Sequence, residues 1–183
     1  MSSNKMPTTK KLVLSALFIA IGLVLPFLTG QLQQIGNKLL PMHLPVFLCG
    51  LVCGWQYGAT VGAIVPILRS LLFGMPIMMP NAVSMAFELC TYGLVAGVVY
   101  FAFRKQNVIS VYVAIITSML AGRAVWGVAQ TVLMGMKDNP FTMKMFVAGA
   151  FVNAVPGIII QLVIIPAIMA ALDRTGVHKY RGR

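Results

Sequence analysis

The stretch SVYVAIITSMLAGRAVWGVAQTVLMG, Ser110 to Gly135, decides how this chain reads. It carries a single charge, Arg123, near its centre. A helix needs about 20 apolar residues to cross the hydrocarbon core of a bilayer, and this run is long enough. It is continuously apolar rather than alternating, which argues against a β-barrel strand. A guanidinium cannot shed its proton, so holding one at bilayer depth costs about 3 kcal/mol or more unless something answers it.

The rest of the chain matches this stretch. Its 183 residues are 59% hydrophobic and only 9% charged, with a mean hydropathy of +0.90. Soluble domains carry roughly 25% charged residues, so the composition is that of an integral membrane protein. The pattern predicts an all-α bundle of six transmembrane helices in one transmembrane domain, 1–183. The spans are expected at about 11–30, 41–53, 59–73, 81–103, 109–135 and 145–172. The second is short and must tilt or be shielded by protein. Pro66 predicts a kink in the third span, and Pro156 and Pro166 interrupt the sixth. The segment from Gly74 to Pro80 has apolar side chains and two prolines. It reads as a loop folded onto the protein, with Met75, Met78 and Met79 as flexible packing in a lid rather than metal ligands.

Function classes narrow quickly. No GxxxxGK[ST] phosphate loop occurs, so the chain does not hydrolyse ATP by itself. No Ser-His pair, paired acids or metal cluster stands at helical spacing, which disfavours an enzyme. No cofactor is expected. Cys49, Cys53 and Cys90 lie in apolar runs and read as packing residues, since two thiolates make a poor metal site. The first span lacks an A-x-A cleavage site and is long enough to remain as an anchor.

The net charge of +11 does not imply nucleic acid. The basic residues cluster at span ends, as cytoplasmic loops require. With both termini inside, the inner side carries Lys5, Lys10, Lys11, Arg104, Lys105, Arg174, Lys179, Arg181 and Arg183. The outer side carries only Lys38, Lys137 and Lys144, so cytoplasmic termini are expected.

Three ionisable groups lie within the spans: Arg69, Glu88 and Arg123. Asn81, Ser84, Glu88 and Tyr92 follow i, i+3, i+7 and i+11, one stripe of the fourth span. Arg123, Trp126 and Gln130 form a stripe on the fifth. Such stripes on consecutive helices can enclose a polar pocket. Glu88 and Arg123 either neutralise each other or share the pocket with a ligand. One carboxylate cannot satisfy five guanidinium donors, and a ligand carboxylate would be clamped bidentately. Trp126 would add an apolar wall with an N–H handle. Asn153 and Gln161, on the sixth span, stand evenly between interhelical hydrogen bonding and ligand contact. Arg69 is weighed between snorkelling to the headgroups and a ligand role, with snorkelling favoured. His43 reads first as an interface residue and second as a ligand contact.

Some of these residues resemble a known family. Ala16-xxx-Ala20 follows a Lys-rich start and leads into a tight second and third span. The runs Leu40-Pro41-Met42-His43-Leu44-Pro45, Leu68-Arg69-Ser70-Leu71-Leu72-Phe73 and Ala86-Phe87-Glu88-Leu89-Cys90-Thr91-Tyr92-Gly93 complete the likeness. Together they resemble the substrate-binding S components of energy-coupling factor (ECF) transporters. The nearest branch is the pantothenate type from Firmicutes. The resemblance implies a non-enzymatic subunit in the plasma membrane of a Gram-positive bacterium, capturing a water-soluble vitamin with high affinity. Its partners would be a transmembrane coupling protein, contacted through Ala16 and Ala20, and two cytoplasmic ATPases. Substrate contacts would come from Arg123, Trp126, Gln130, Asn81, Ser84, Glu88, Asn153, Arg69 and His43. Alternatives are an S component for pyridoxine or hydroxymethylpyrimidine, and a stand-alone proton-coupled carrier using Glu88.

Overall fold

A computed structural model describes residues 6–29, 40–136 and 142–175. The predicted connections around Lys38 and Lys137, and most of the basic tail, lie outside the described residues. Among the described residues every regular element is a helix or helical turn. Helix α1 (Thr8–Val24) tightens into a 3-10 turn, Leu25–Thr29. Pro26 lies in that turn and has no N–H to continue the α pattern, so the first span ends as a helix earlier than expected.

Helix α2 (His43–Cys53) and α3 (Trp55–Phe73) are separated by Gly54 alone. Gly54 (φ 104°) reverses the chain and Gly74 (φ 69°) closes α3 in the left-handed region, positions where a side chain would be strained. The third span therefore starts at Trp55, not near Ala59. Pro66 sits inside α3 without ending it. A wide turn, Met78–Ala82, leads into α4 (Val83–Ala102). Helix α5 (Val108–Gly135) opens on a reciprocal cap. Ser110 N–H donates to Asn107 Oδ1 at 2.9 Å, and Asn107 N–H donates to Ser110 Oγ at 3.0 Å.

The expected sixth span is divided. Helix α6 (Met143–Val147) runs into a wide turn, Ala148–Val152, before α7 (Val155–Arg174). Pro156 falls in the first turn of α7, where no backbone donor is needed, and Pro166 lies inside the helix. Among the described residues five segments are long and apolar enough to cross a membrane. The sixth, α2, is about 16 Å long at 1.5 Å per residue. It is shielded by protein: every residue of α2 except Leu44 is buried.

Glycines explain how α2 reaches that central place. A Cβ on Gly93 of α4 would strike the Gly58 backbone of α3, and one on Gly50 of α2 would lie 2.5 Å from the Gly93 carbonyl. The backbones of three helices meet there with nothing between them. Lipid tails are as apolar as leucine, so close van der Waals packing of this kind is what holds membrane helices together. Helix α1 adds a buried stripe, Ser15, Phe18 and Gly22, against α2 and α3. Its Ala16 and Ala20 point to the exposed side.

Candidate functional site

The glycine-packed core fixes α4 against α2 and α3, α5 packs along α4, and this brings four polar side chains together. Glu88 of α4 is 2% exposed. Its Oε1 accepts from the Tyr92 hydroxyl at 2.7 Å and from Arg123 Nη1 of α5 at 2.9 Å. His43, at the start of α2, is 1% exposed and brings Nε2 to 3.8 Å from the same oxygen. The Tyr92 ring stacks on Phe47 with centroids 4.9 Å apart, which fixes the direction of its hydroxyl. Gly122 makes the arrangement possible: a Cβ there would lie only 2.2 Å from the edge of the Tyr92 ring.

The electrostatic balance is simple. Glu88 and Arg123 form a buried ion pair with zero net charge. Breaking such a pair by removing one partner costs about 3–5 kcal/mol, because a lone charge remains in a medium that cannot solvate it. Nη1 is one of several donors on the guanidinium, and Arg123 also borders a cavity of about 210 Å³. Tyr92 and Gln161 are its other polar walls, and Ile116, Met119, Leu120, Ala150, Ile158 and Leu162 complete it. Gln161 Nε2 donates to the Leu40 carbonyl at 3.5 Å, tying α7 to the segment before α2. The cavity thus offers a cationic and amide end against aliphatic walls.

Other expected residues are placed differently. Arg69 does not snorkel: it is 3% exposed, donates to the Leu23 carbonyl, and lies 5.0 Å from the Phe27 ring and 5.4 Å from the Phe73 ring. It clasps the end of α1 to the end of α3. Trp126 is half-buried, stacks with Phe146 at 6.2 Å and packs over Gly149, and is not among the cavity walls. Ser84 is buried, but its hydroxyl donates to the Asn81 carbonyl at 3.0 Å within its own helix start. Asn81 itself is half-buried in the wide turn, and Asn153 is exposed just before α7. Gln130 is buried, and its Oε1 has no hydrogen-bond partner among the described residues.

Tyr92 shares the expected stripe of the fourth span but had no contact role there, and Gln161 stood no higher than Asn153. The aliphatic walls and Gly122 went unnoticed. A small residue directly before an intramembrane arginine is the signal that could have found Gly122, since such residues mark close helix approach.

The family described as ECF transporter, substrate-specific component, matches residues 10–169. No curated protein and no solved structure gives a significant match. The match spans nearly all the described helices, including the buried Glu88–Arg123 pair and the cavity beside it. The chain belongs to the substrate-specific components of ECF transporters, multi-pass membrane subunits of transport systems rather than enzymes, which serve a substrate together with coupling and ATPase partners.

Proposed function

We propose that this chain captures a small water-soluble vitamin with an anionic end and delivers it to a coupling protein driven by two cytoplasmic ATPases. The observation that carries this reading is Arg123, a buried permanent cation that borders the cavity while one of its donors holds Glu88. A carboxylate entering the cavity would meet the remaining guanidinium donors in the planar geometry that favours bidentate pairing. The Gln161 amide would offer a second polar contact, and the aliphatic walls would cover the body of the solute. At about 210 Å³ the cavity suits a compact molecule, below the ~300–1,000 Å³ of pockets for drug-sized ligands.

Pantothenate meets the requirement for a carboxylate. Pyridoxine and hydroxymethylpyrimidine lack one and would leave the cation without an added partner. Both termini are assigned to the cytoplasm from the distribution of Lys and Arg. The exposed Ala16 and Ala20 of α1 form the face offered to the coupling protein, because small residues allow close helix approach. A stand-alone proton carrier would need Glu88 free to exchange protons, whereas Arg123 and Tyr92 both hold its Oε1.

The test is uptake of labelled pantothenate in cells with and without the partner ATPases, alongside calorimetry on the purified chain. Binding by the chain alone, with uptake only when the ATPases are present, is expected. Uptake without them would refute the assignment.

A further inference from the structure

One member of the polar cluster is left with nothing to do. His43 is 1% exposed, and neither Nδ1 nor Nε2 has a hydrogen-bond partner among the described residues. Its Nε2 stands 3.8 Å from Glu88 Oε1, too far for a hydrogen bond but about an ångström from one. The carboxylate it faces is taken by Arg123 and Tyr92. Unpaired polar atoms in a buried site are costly, so the position calls for an explanation.

Charge balance supplies it. At rest Glu88 contributes −1 and Arg123 +1, and a neutral imidazole leaves the cluster at zero. A carboxylate solute drawn to Arg123 would add −1 and leave the buried site with an uncompensated charge, which is strongly disfavoured. We infer that His43 takes the place of Arg123 at Glu88 when the guanidinium turns to an anionic solute, taking one proton from hydronium or buffer acid in the bulk solution as it does so. Anion and proton are then taken up together, and the site returns to zero: Arg123 with the solute, imidazolium with Glu88. The only bonds exchanged are the N–H made on the ring and the O–H broken in the solution acid that gives the proton. The inference rests on the carboxylate reading given above.

The surroundings permit this exchange, and among the described residues they offer no other candidate. The titratable and charged groups that face the imidazole are Glu88 and Tyr92 from α4 and Arg123 from α5, with the Leu40 backbone beside it. Lys11 of α1 lies over the Tyr57 ring at 5.7 Å, and Arg69 of α3 is held between Phe27 and Phe73. On α2 itself Cys49 meets Ser15. On α7, Gln161 is engaged with Leu40, and Asp173 and Arg174 lie in the last turn, more than three turns away along the helix.

The sequence makes the test clean, because the chain contains only two histidines, His43 and His178. Full-length protein labelled with 15N-histidine is placed in lipid nanodiscs at neutral pH, and His178→Gln assigns the spectrum. In the wild type His43 should show a neutral ring. In Arg123→Gln it should show an imidazolium, since Glu88 has lost its cation. In Glu88→Gln/Arg123→Gln it should be neutral again. A neutral His43 in Arg123→Gln, or an imidazolium in the wild type, overturns the inference. So does an Arg123→Gln protein that fails to fold where the double variant folds, because the imidazole then has not answered the carboxylate. Pantothenate added to weakly buffered wild type should draw one proton per molecule bound. Binding without proton uptake overturns the inference and leaves the solute assignment standing. Absence of pantothenate binding, with the imidazole spectra as expected, keeps the exchange and removes pantothenate as the solute.

Discussion

Adding one methyl group at Gly122 should disable the site without touching any of its charges. The Tyr92 ring occupies the space where a Cβ at Gly122 would go, and the Glu88 carbonyl lies 3.1 Å from the same point. Tyr92 cannot swing aside freely, because its other face is stacked on Phe47 at 4.9 Å. Gly122→Ala must therefore displace the ring and pull its hydroxyl away from Glu88 Oε1, 2.7 Å distant. Overpacking a filled core costs about 1–3 kcal/mol. Losing a hydrogen bond to a charged acceptor adds about 1.5–3 kcal/mol. The sum is a destabilisation of about 2.5–6 kcal/mol, read as reversible unfolding in mixed micelles of rising denaturing-detergent content. A double-mutant cycle isolates the cause. In a Tyr92→Leu background the ring and the hydroxyl are already gone, so Gly122→Ala should cost less than about 1 kcal/mol. Equal costs in the two backgrounds, or no cost in the wild type, would refute the reasoning.

Four further outcomes are expected. Arg123→Ala should abolish pantothenate binding measured by calorimetry while the protein remains inserted, and unchanged affinity would remove the clamp. Ala16→Trp should leave solute binding intact and prevent co-purification of the coupling protein, since the residue lies on the exposed side of α1. Arg69→Met keeps the volume of the side chain but loses two ring contacts, each worth about 0.5–2 kcal/mol. It should lower stability in the micelle assay and leave solute affinity unchanged; a matching loss of affinity would put Arg69 at the solute. Gly93→Val forces β-branched bulk into the Gly58 backbone and should prevent accumulation of folded protein, while normal accumulation would remove the close backbone contact.

The bundle was legible because hydrocarbon imposes a strict rule on sequence: a spanning segment must be apolar, helical and about 20 residues long. The fourth and fifth spans, expected at 81–103 and 109–135, agree with Val83–Ala102 and Val108–Gly135 to within two residues. The sixth, expected at 145–172 with interruptions at Pro156 and Pro166, falls within the apolar segment Met143–Arg174, but hydropathy is blind to the wide turn at Ala148–Val152 that divides it. The pairing of Glu88 with Arg123 was among the two readings open at the sequence level, since few charges occur in the spans and opposite ones attract. Helical stripes show which residues share a face, but not which neighbour that face meets. Trp126 lies one turn from Arg123 yet stacks on Phe146. Gln161, far away in sequence, reaches the cavity through the packing of α7. Arg69 looked like a snorkelling residue because its aromatic partners, Phe27 and Phe73, come from the ends of two different helices.

Arg123 should hold a small anionic solute in the cavity it borders. Native mass spectrometry of the full-length chain, released gently from membranes of cells grown in rich medium, tests that claim most directly. The wild type should carry one molecule of a single small carboxylate, and Arg123→Ala prepared in parallel should carry none. A wild type without any bound molecule, or an equal load on the variant, would contradict it.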